Sequence, residues 1–311
     1  MKFKEAEKYA ADLKALGADC ICGEMLSSHT TFRIGGDASL FVSPADEDQL
    51  IGVISYLEKN GIRYFLLGKG SNVLFDDAGY DGAVVSTSKL DKISVCGNEI
   101  TAQCGASFTY LASVAAGNSL SGLEFAYGIP GSVGGAVFMN AGAYGSETAA
   151  VLKSSRYLDI SDCTVKTLPL EEHLFGYRDS VFRHRRFIHL SSVFALQAGD
   201  KAQIRAYMNE LMQRRRDKQP LEYPSAGSVF KRPPGHFAGH LITEAGLKGC
   251  RVGDAMVSNK HAGFIVNAGH ATSADVVALI RKIQETVKNQ FGVDLVPELR
   301  YLGTSRLEKL N

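Results

Sequence analysis

Two glycine-rich segments give this chain of 311 residues its clearest means of holding a ligand through the backbone. The first reads GKGSN (68–72) and the second reads GIPGSVGG (128–135). Glycine tolerates positive φ and close approach, so both segments can turn successive N–H groups toward one anion. An isolated segment of this kind is most simply a tight turn. Two of them, with Ser71, Asn72 and Ser132 as side-chain donors, favour the pyrophosphate of a dinucleotide.

Neither segment matches the familiar phosphate motifs. A P-loop requires GxxxxGK followed by Ser or Thr, whereas Gly68-Lys69 is followed by Gly70. A Rossmann turn requires GxGxxG, but residues 68–75 lack the third glycine and residues 128–135 have a different spacing. The anion-binding hypothesis therefore depends on the pair of segments and not on a known motif.

Two further side chains are suited to chemistry, each with a plainer alternative. Arg178 in GYRDS carries a planar, permanent cation that suits a carboxylate, and a structural bridge to Asp179 is the alternative. Ser228 follows Gly227 in AGSVF and can present a hydroxyl, but a serine after glycine is usually a turn residue. These residue types alone do not decide between the readings.

The other clusters of reactive or charged residues favour structural roles. His236 and His240 have i,i+4 spacing, but no third ligand follows at the spacing of zinc proteases, so we predict no metal site. The six cysteines contain no CxxC pair, which favours buried thiols without a disulfide. The run Arg214–Arg216 favours a solvated helix end over a ligand site, and the run Arg183–Arg186 favours a solvated loop over one that attracts an anion.

The composition excludes several partners. The 34 basic and 33 acidic side chains leave a net charge of +1, so nothing indicates nucleic acid or an anionic membrane. The charged N-terminus lacks the apolar core of a signal peptide, and we expect a cytoplasmic protein. Residues 125–146 carry no charge, but their glycines and Pro130 argue against a membrane span.

The pattern of elements predicts an α+β fold. Helical spacing predicts helices over residues 5–16, 46–59 and 108–117, with short strands between and after them. A long helix over 200–218 marks a change of pattern and a domain boundary near residue 199. The last helix opens with Thr272 and Asp275 in capping-box spacing and ends before glycine 292.

Seven segments occur in one order along most of the chain. They read SHTTFRIGG (28–36), LLGKGSNVLF (66–75), AYGIPGSVGGAVFMNAGAYG (126–145), GYRDSVF (176–182), PSAGSVFKRP (224–233), VSNKHAGFIVN (257–267) and PELRYLG (297–303). Together they resemble the UDP-N-acetylenolpyruvoylglucosamine reductase family. The sequence reads FKRP where another branch of that family has FKNP, and no inserted tyrosine loop follows Leu196, so the resemblance is to the shorter subtype.

The resemblance implies a particular α+β architecture. It implies a two-lobed FAD-binding domain of the vanillyl-alcohol-oxidase (PCMH) type, followed by an α+β substrate-binding domain. With the boundary from the element pattern, we expect an N-terminal helix and lead-in over 1–27, lobes over 28–92 and 93–198, and the C-terminal domain over 199–311.

The resemblance also implies a reaction and its catalytic residues. The expected activity is NADPH-dependent reduction of UDP-N-acetylglucosamine enolpyruvate to UDP-N-acetylmuramate for peptidoglycan, with hydride from reduced flavin and a proton from Ser228. Arg178 would stabilise the developing enolate, and Glu298 completes the trio. Because an ionised Glu298 would repel that enolate, we expect it to be protonated or to hold a water or a cationic partner.

The remaining site residues carry over from the same motifs. Tyr144 and Arg232 are expected to contact the UDP-sugar, and FAD is expected to be bound non-covalently. The expected FAD contacts are Arg33, Gly68, Lys69, Gly70, Ser71, Asn72, Gly128, Ile129, Pro130, Gly131, Ser132, Gly134 and Gly135. The alternatives are another flavin oxidase or oxidoreductase of this fold acting on a sugar or lactone, and an inactive flavin- or UDP-sugar-binding module.

Overall fold

The N-terminal part of the chain forms a small mixed sheet with two helices. The computed structural model describes residues 3–303. The elements of this first lobe are α1 (Phe3–Ala15), β1 (Asp19–Ile21), β2 (Glu24–Met25), β3 (Asp37–Ser43), α2 (Glu47–Lys59), β4 (Tyr64–Leu67), β5 (Val73–Phe75) and β6 (Tyr80–Ser86).

The sheet of the first lobe has the order β1-β3-β6-β4, with β2 also paired to β3. Strands β3 and β4 run parallel to β6, while β1 and β2 run antiparallel to β3. Helix α2 buries Leu50, Val53, Ile54 and Leu57, and Asp46 caps it by accepting from the Gln49 N–H. We had expected the lobe to begin at residue 28. Because β1 and β2 belong to this sheet, it begins earlier in the chain.

The second lobe follows without a linker and is built on an antiparallel sheet. Its elements are β7 (Ile93–Cys96), β8 (Glu99–Gln103), α3 (Phe108–Gly117), β9 (Leu120–Ser121), α4 (Val133–Met139), β10 (Gly142–Ala143), β11 (Ser146–Glu147), β12 (Leu152–Asp159), β13 (Thr164–Pro169), β14 (Phe187–Ala195) and β15 (Gln197–Ala198). The main sheet has the order β13-β12-β14-β8-β7. Leu158 and Leu190 from this sheet share a core with α1 and α2, so the two lobes are packed together.

The C-terminal part forms a four-stranded antiparallel sheet and returns to the first lobe. Its elements are α5 (Lys201–Lys218), β16 (Ser225–Ser228), α6 (Ala238–Glu244), β17 (Arg251–Val252), β18 (Ala255–Val257), β19 (Phe264–Asn267), α7 (Ser273–Phe291) and β20 (Arg300–Leu302). The sheet order is β16-β19-β18-β17, and β20 pairs in parallel with β5.

The packing of α5 shifts the expected domain boundary. Ile204 and Met208 of this helix lie in the same core as Phe108 and Phe125 of the second lobe. The helix therefore belongs to the FAD-binding half by its contacts, although its sequence pattern differs from what precedes it. We propose a boundary after α5, near residue 219, instead of near residue 199.

Candidate active site

A large cavity opens between the two lobes and the C-terminal sheet. Its volume is about 1520 Å³, and residues of all three regions line it. Both glycine segments contribute to its wall, and every FAD contact expected within them lines the cavity. Arg33, the one expected FAD contact outside the two segments, does not line it. The cavity is thus bounded by the two segments that the sequence singled out.

The two glycine segments approach each other closely. A Cβ added to Gly68 would lie 2.3 Å from the Ser132 hydroxyl, so only glycine fits there. A Cβ added to Gly131 would meet only the Ser71 hydroxyl, at 3.6 Å, and therefore has free space on the cavity side. The segments form one cradle with room for a group that touches both, which fits a pyrophosphate.

Gly70 has a different structural role. Its φ is +62°, and an added Cβ would lie 2.1 Å from the carbonyl oxygen of His29. Its own carbonyl accepts from the Thr31 N–H at 3.1 Å. Gly70 therefore holds the first segment against the loop that precedes β3, in addition to lining the cavity.

Arg178 and Glu298, which are far apart in sequence, form an ion pair in the cavity wall. The Nε–H of Arg178 donates to Oε1 of Glu298 at 3.0 Å, and Nη2 donates to the Gly142 carbonyl at 3.1 Å. Asp179, the alternative partner, instead pairs with Arg183 and His184. The guanidinium is thereby directed at the cavity and not at its sequence neighbour.

The backbone around Arg178 is held in an unusual conformation. Arg178 has a φ of +56°, a region that side-chain-bearing residues rarely adopt. Gly176 and Asp179 exchange backbone hydrogen bonds across the turn, and the buried Asn140 side chain donates to the Gly176 carbonyl at 3.0 Å. These bonds hold the turn that presents Arg178.

Ser228 lies at the end of β16 and is linked to Glu298 through the backbone. The Glu298 N–H donates to the carbonyl of Val229, the next residue, at 2.7 Å. Gly227, just before the serine, has a φ of +78°, and the Ser228 hydroxyl makes only a long 3.5 Å contact to the Phe230 carbonyl. The hydroxyl is weakly engaged by the described residues, and Ser228 lines the same cavity as Arg178 and Glu298.

Glu298 is subject to opposing electrostatic effects. Burial raises the pKa of its carboxyl above the usual value, while the charge of Arg178 acts in the opposite direction. Arg178 is thus the cationic partner that we considered for Glu298. The pKa of Glu298 is raised overall, so its protonated form is more favourable here than in water.

Arg215 is a cavity residue that the sequence analysis did not predict. Arg215, from the run that we expected to be solvated, is 6% exposed and lines the cavity next to Gly128. Its Nε and Nη2 atoms have no hydrogen-bond partner among the described residues. The prediction failed because α5 packs on the second lobe and turns this one arginine inward. A buried cation without a counter-ion indicates an anionic ligand nearby.

Tyr144 and Arg232 lie at the margins of this region. Tyr144 is exposed, does not itself line the cavity, and has its ring 5.4 Å from the Arg215 guanidinium. Arg232 lines the cavity, with its guanidinium 3.9 Å from the ring of Phe237 and its backbone N–H bonded to the Tyr177 hydroxyl.

Arg33 lies elsewhere. Its exposed side chain lines a separate, smaller depression together with Tyr223 and His270. The expectation that it contacts the cofactor does not agree with this position. Its φ of +57° and the packing of neighbouring Phe32 and Ile34 in the C-terminal core indicate that the SHTTFRIGG segment joins the domains.

The histidine pair that we considered as a metal site does not share one helix face. His236 precedes α6, whereas His240 lies within it. Across residues 3–303, no cluster of His, Cys, Asp or Glu side chains has the arrangement of a metal site. Among the helices of the same residues, none combines the length and apolar character needed to cross a membrane.

The fold and the cavity define the class of protein. A family model described as an FAD binding domain matches residues 38–168, a range that contains both glycine segments and most of the two lobes, so the two lobes form an FAD-binding unit. A second family model, for the C-terminal domain of UDP-N-acetylenolpyruvoylglucosamine reductase, matches residues 219–302.

Whole-chain comparisons identify the family. The chain is 47% identical over 278 residues to a UDP-N-acetylenolpyruvoylglucosamine reductase of Clostridium perfringens, covering 89% of this chain and 91% of that protein. It is 48% identical over 280 residues to the enzyme of that name from Caldanaerobacter subterraneus, covering 90% and 92%. The crystal structure of the reductase from Thermus caldophilus superposes with a TM-score of 0.77 at 34% identity, covering 91% of this chain and 98% of that one.

The chain belongs to the UDP-N-acetylenolpyruvoylglucosamine reductase family. It is a flavin-dependent oxidoreductase, and the resemblance inferred from its seven motifs is confirmed.

Proposed function

We propose that this enzyme uses NADPH and non-covalent FAD to reduce the enolpyruvyl group of UDP-N-acetylglucosamine enolpyruvate, giving UDP-N-acetylmuramate. The observation that carries the proposal is that Arg178, Glu298 and Ser228 meet in one cavity with both glycine segments. The reaction would supply peptidoglycan precursors, and the proposal includes a cytoplasmic location, where the nucleotide substrates would be available.

FAD is the group that the cradle would hold. Gly68, Gly131 and Ser132 would lie against its pyrophosphate, because they are the points where the two segments meet. Lys69, Ser71, Asn72, Gly128, Ile129, Pro130, Gly134 and Gly135 would surround it. The chemistry supplied at this site by bound FAD would be hydride transfer, with NADPH as the source and the terminal carbon of the enolpyruvyl group as the acceptor.

Arg178 would bind the carboxylate of the enolpyruvyl group. Two of its nitrogens are already bonded to Glu298 and Gly142, so the guanidinium is fixed before the substrate arrives. Negative charge that develops on the carboxylate during hydride arrival would be stabilised by this cation. Glu298 would hold the guanidinium in place, and burial, which raises the pKa of its carboxyl, favours the protonated form, which would not repel the enolate, more than in water.

Ser228 would supply the proton to the other enolpyruvyl carbon. Among residues 3–303 its hydroxyl has a single hydrogen-bond contact, to the Phe230 carbonyl at 3.5 Å, and is free to point into the cavity. The backbone bond from Glu298 to Val229 keeps the hydroxyl in register with the ion pair. A hydroxyl that is held in place but weakly bonded can act as a general acid once the carbon becomes basic.

Arg215 and Arg232 would neutralise the diphosphate of UDP. Arg215 is a buried cation without an anionic partner among residues 3–303, and Arg232 lies against Phe237 at the cavity wall. Tyr144, whose ring faces Arg215, would cover the diphosphate from the outside. The proposal assigns these three residues to substrate binding and none of them to the chemical step.

Anaerobic spectroscopy tests the proposed reaction. The purified protein should be yellow, NADPH should bleach it, and UDP-N-acetylglucosamine enolpyruvate should restore the colour with formation of UDP-N-acetylmuramate. Rapid recolouring by air, with no effect of the enolpyruvyl substrate, would instead support an oxidase of the same fold. Bound flavin that NADPH does not bleach would support an inactive binding module.

A further inference from the structure

Arg300 lines the large cavity and carries a positive charge, but the proposed reaction assigns it no role. Its guanidinium lies between two aromatic rings, 5.1 Å from the centroid of Phe65 and 4.7 Å from that of Phe138. Its backbone N–H donates to the carbonyl of Asn72 at 3.1 Å. Arg300 therefore lies where the first glycine segment meets the start of β20, two residues after Glu298.

No carboxylate among residues 3–303 neutralises this charge. Glu298 is bonded to Arg178, and Asp179 is shared by Arg183 and His184. Burial, reinforced by the nearby charge of Arg183, lowers the pKa of Arg300 to about 10, so the guanidinium is still charged at neutral pH. A cation that is partly desolvated and lacks a counter-ion favours an anionic group in the cavity.

We propose that Arg300 places its positive charge beside the flavin ring of bound FAD and makes that ring easier to reduce. The inference deepens the proposed function and rests on it only in requiring that FAD occupy the cradle. Hydride transfer adds two electrons and one proton to the neutral oxidised ring and releases NADP⁺. The reduced ring then carries one negative charge, and a fixed cation stabilises this form over the neutral one.

Two other anions could pair with the Arg300 guanidinium, namely the FAD pyrophosphate and the substrate carboxylate. The position of Arg300 favours the ring. Arg178 already faces the carboxylate, and the pyrophosphate is expected where Gly68 meets Ser132. Glu298, two residues before Arg300 on the same segment, belongs to the catalytic group that must meet the reacting edge of the flavin.

The reduction equilibrium of the bound flavin tests this assignment. Arg300→Leu and Arg300→Gln remove the charge, Arg300→Lys keeps it, and Arg281→Leu is a control on the exposed face of α7. All proteins are loaded with FAD and equilibrated anaerobically with a redox dye. We expect the neutral variants to disfavour the reduced form by roughly tenfold, which is about 30 mV for a two-electron couple. Arg300→Lys should retain most of the wild-type value, and Arg281→Leu all of it.

Sulfite gives a second readout, because it adds to the oxidised ring and leaves the ring anionic. Arg300→Leu should bind sulfite roughly tenfold more weakly than wild type. An unchanged reduction equilibrium with weaker FAD binding would assign Arg300 to the pyrophosphate, and an unchanged equilibrium with a raised KM for the enolpyruvyl substrate would assign it to the carboxylate. Either result overturns the inference. Neither the reduction equilibrium nor sulfite binding is measured with the enolpyruvyl substrate, so both remain valid tests even if the proposed reaction is wrong.

Discussion

For individual residues, the sequence indicated which side chains are suited to binding or catalysis, but not which partner each one contacts in the folded protein. Arg178 could have bridged Asp179, and only the fold shows that its partner is Glu298, 120 positions away in the chain. Arg215 was missed because the burial of one arginine within a basic run depends on how α5 packs. A local pattern contains no information about that contact.

Arg178→Lys tests the importance of the guanidinium fork. A lysine keeps the charge but has one nitrogen, so it cannot bond Glu298 and Gly142 while also holding a carboxylate. We expect kcat/KM for the enolpyruvyl substrate to fall by roughly 10²-fold or more, with little change in bleaching by NADPH. Arg281→Lys is the control. Equal activity of the wild type and Arg178→Lys would remove Arg178 from the mechanism.

His189 links the stability of the second lobe to pH. It lies in a buried hydrogen-bond chain in which the Ser192 hydroxyl, 2.7 Å away, connects it to Ser155 and then to His173. Burial, with a contribution from His173, lowers the pKa of His189 to about 3. The folded protein therefore prefers neutral His189, and this stability is present above pH 6.5 and is lost as the pH falls toward 3.

The expected loss is about 1.4 kcal/mol per pH unit below 6.5. His189→Gln, which does not titrate, should flatten urea unfolding midpoints measured between pH 7.5 and 4.5, whereas exposed His236→Gln should leave the slope of the wild type. The same steep slope in His189→Gln would show that other groups cause the acid sensitivity.

At the element scale, the sequence predicted the regular helices well. The capping box predicted for Thr272 and Asp275 is complete, and Asp46 and Asp200, where two of the predicted helices begin, are the residues that cap them. Helix α4 was hidden inside the second glycine segment, because two glycines in its first turn mask any helical signal. The parallel pairing of β20 with β5 was equally hidden, since long-range strand partners leave no local pattern.

The two glycine segments allow a matched pair of substitutions. Gly131→Val directs its side chain into free space in the cradle, so we expect FAD affinity to fall while the apoprotein unfolds at an unchanged temperature. Gly70→Val has a strained φ and a 2.1 Å clash with His29, so the fold itself should be destabilised. Fluorescence titration with FAD and thermal unfolding measure both effects. Full FAD affinity in Gly131→Val would show that this segment is only a turn.

At the scale of the whole molecule, the cavity lies between three parts that also pack against one another through shared cores. The sequence predicted two lobes and a C-terminal domain with a boundary near residue 199, and because α5 packs backward onto the second lobe we propose a boundary near residue 219 instead. The first lobe and the C-terminal domain meet where Asp77 accepts hydrogen bonds from Ser273 and Ala274 at the start of α7. This contact caps α7 from the first lobe.

Because the cradle is formed by both lobes, FAD should stabilise the whole molecule. At a free FAD concentration 100 times its Kd, the stabilisation is about 2.7 kcal/mol, which should raise the unfolding temperature of the apoprotein by several degrees. Differential scanning calorimetry with and without FAD measures this shift, and Gly131→Val should show less of it. An unchanged unfolding temperature at saturating FAD would contradict binding within the cavity.

The most direct test of the account separates the two half-reactions on one sample. NADPH bleaching of the flavin needs no proton donor at the enolpyruvyl carbon, whereas reoxidation by the substrate does, and Ser228 is assigned only to the second step. Anaerobic single-turnover absorbance should show that Ser228→Ala bleaches nearly as fast as wild type but reoxidises roughly 10² to 10⁴ times more slowly. Ser113→Ala, whose hydroxyl bonds within α3 outside the cavity, should match the wild type in both steps. Equal slowing of both steps in Ser228→Ala would mean that the serine positions the flavin or its loop, and it would contradict its role as the proton donor.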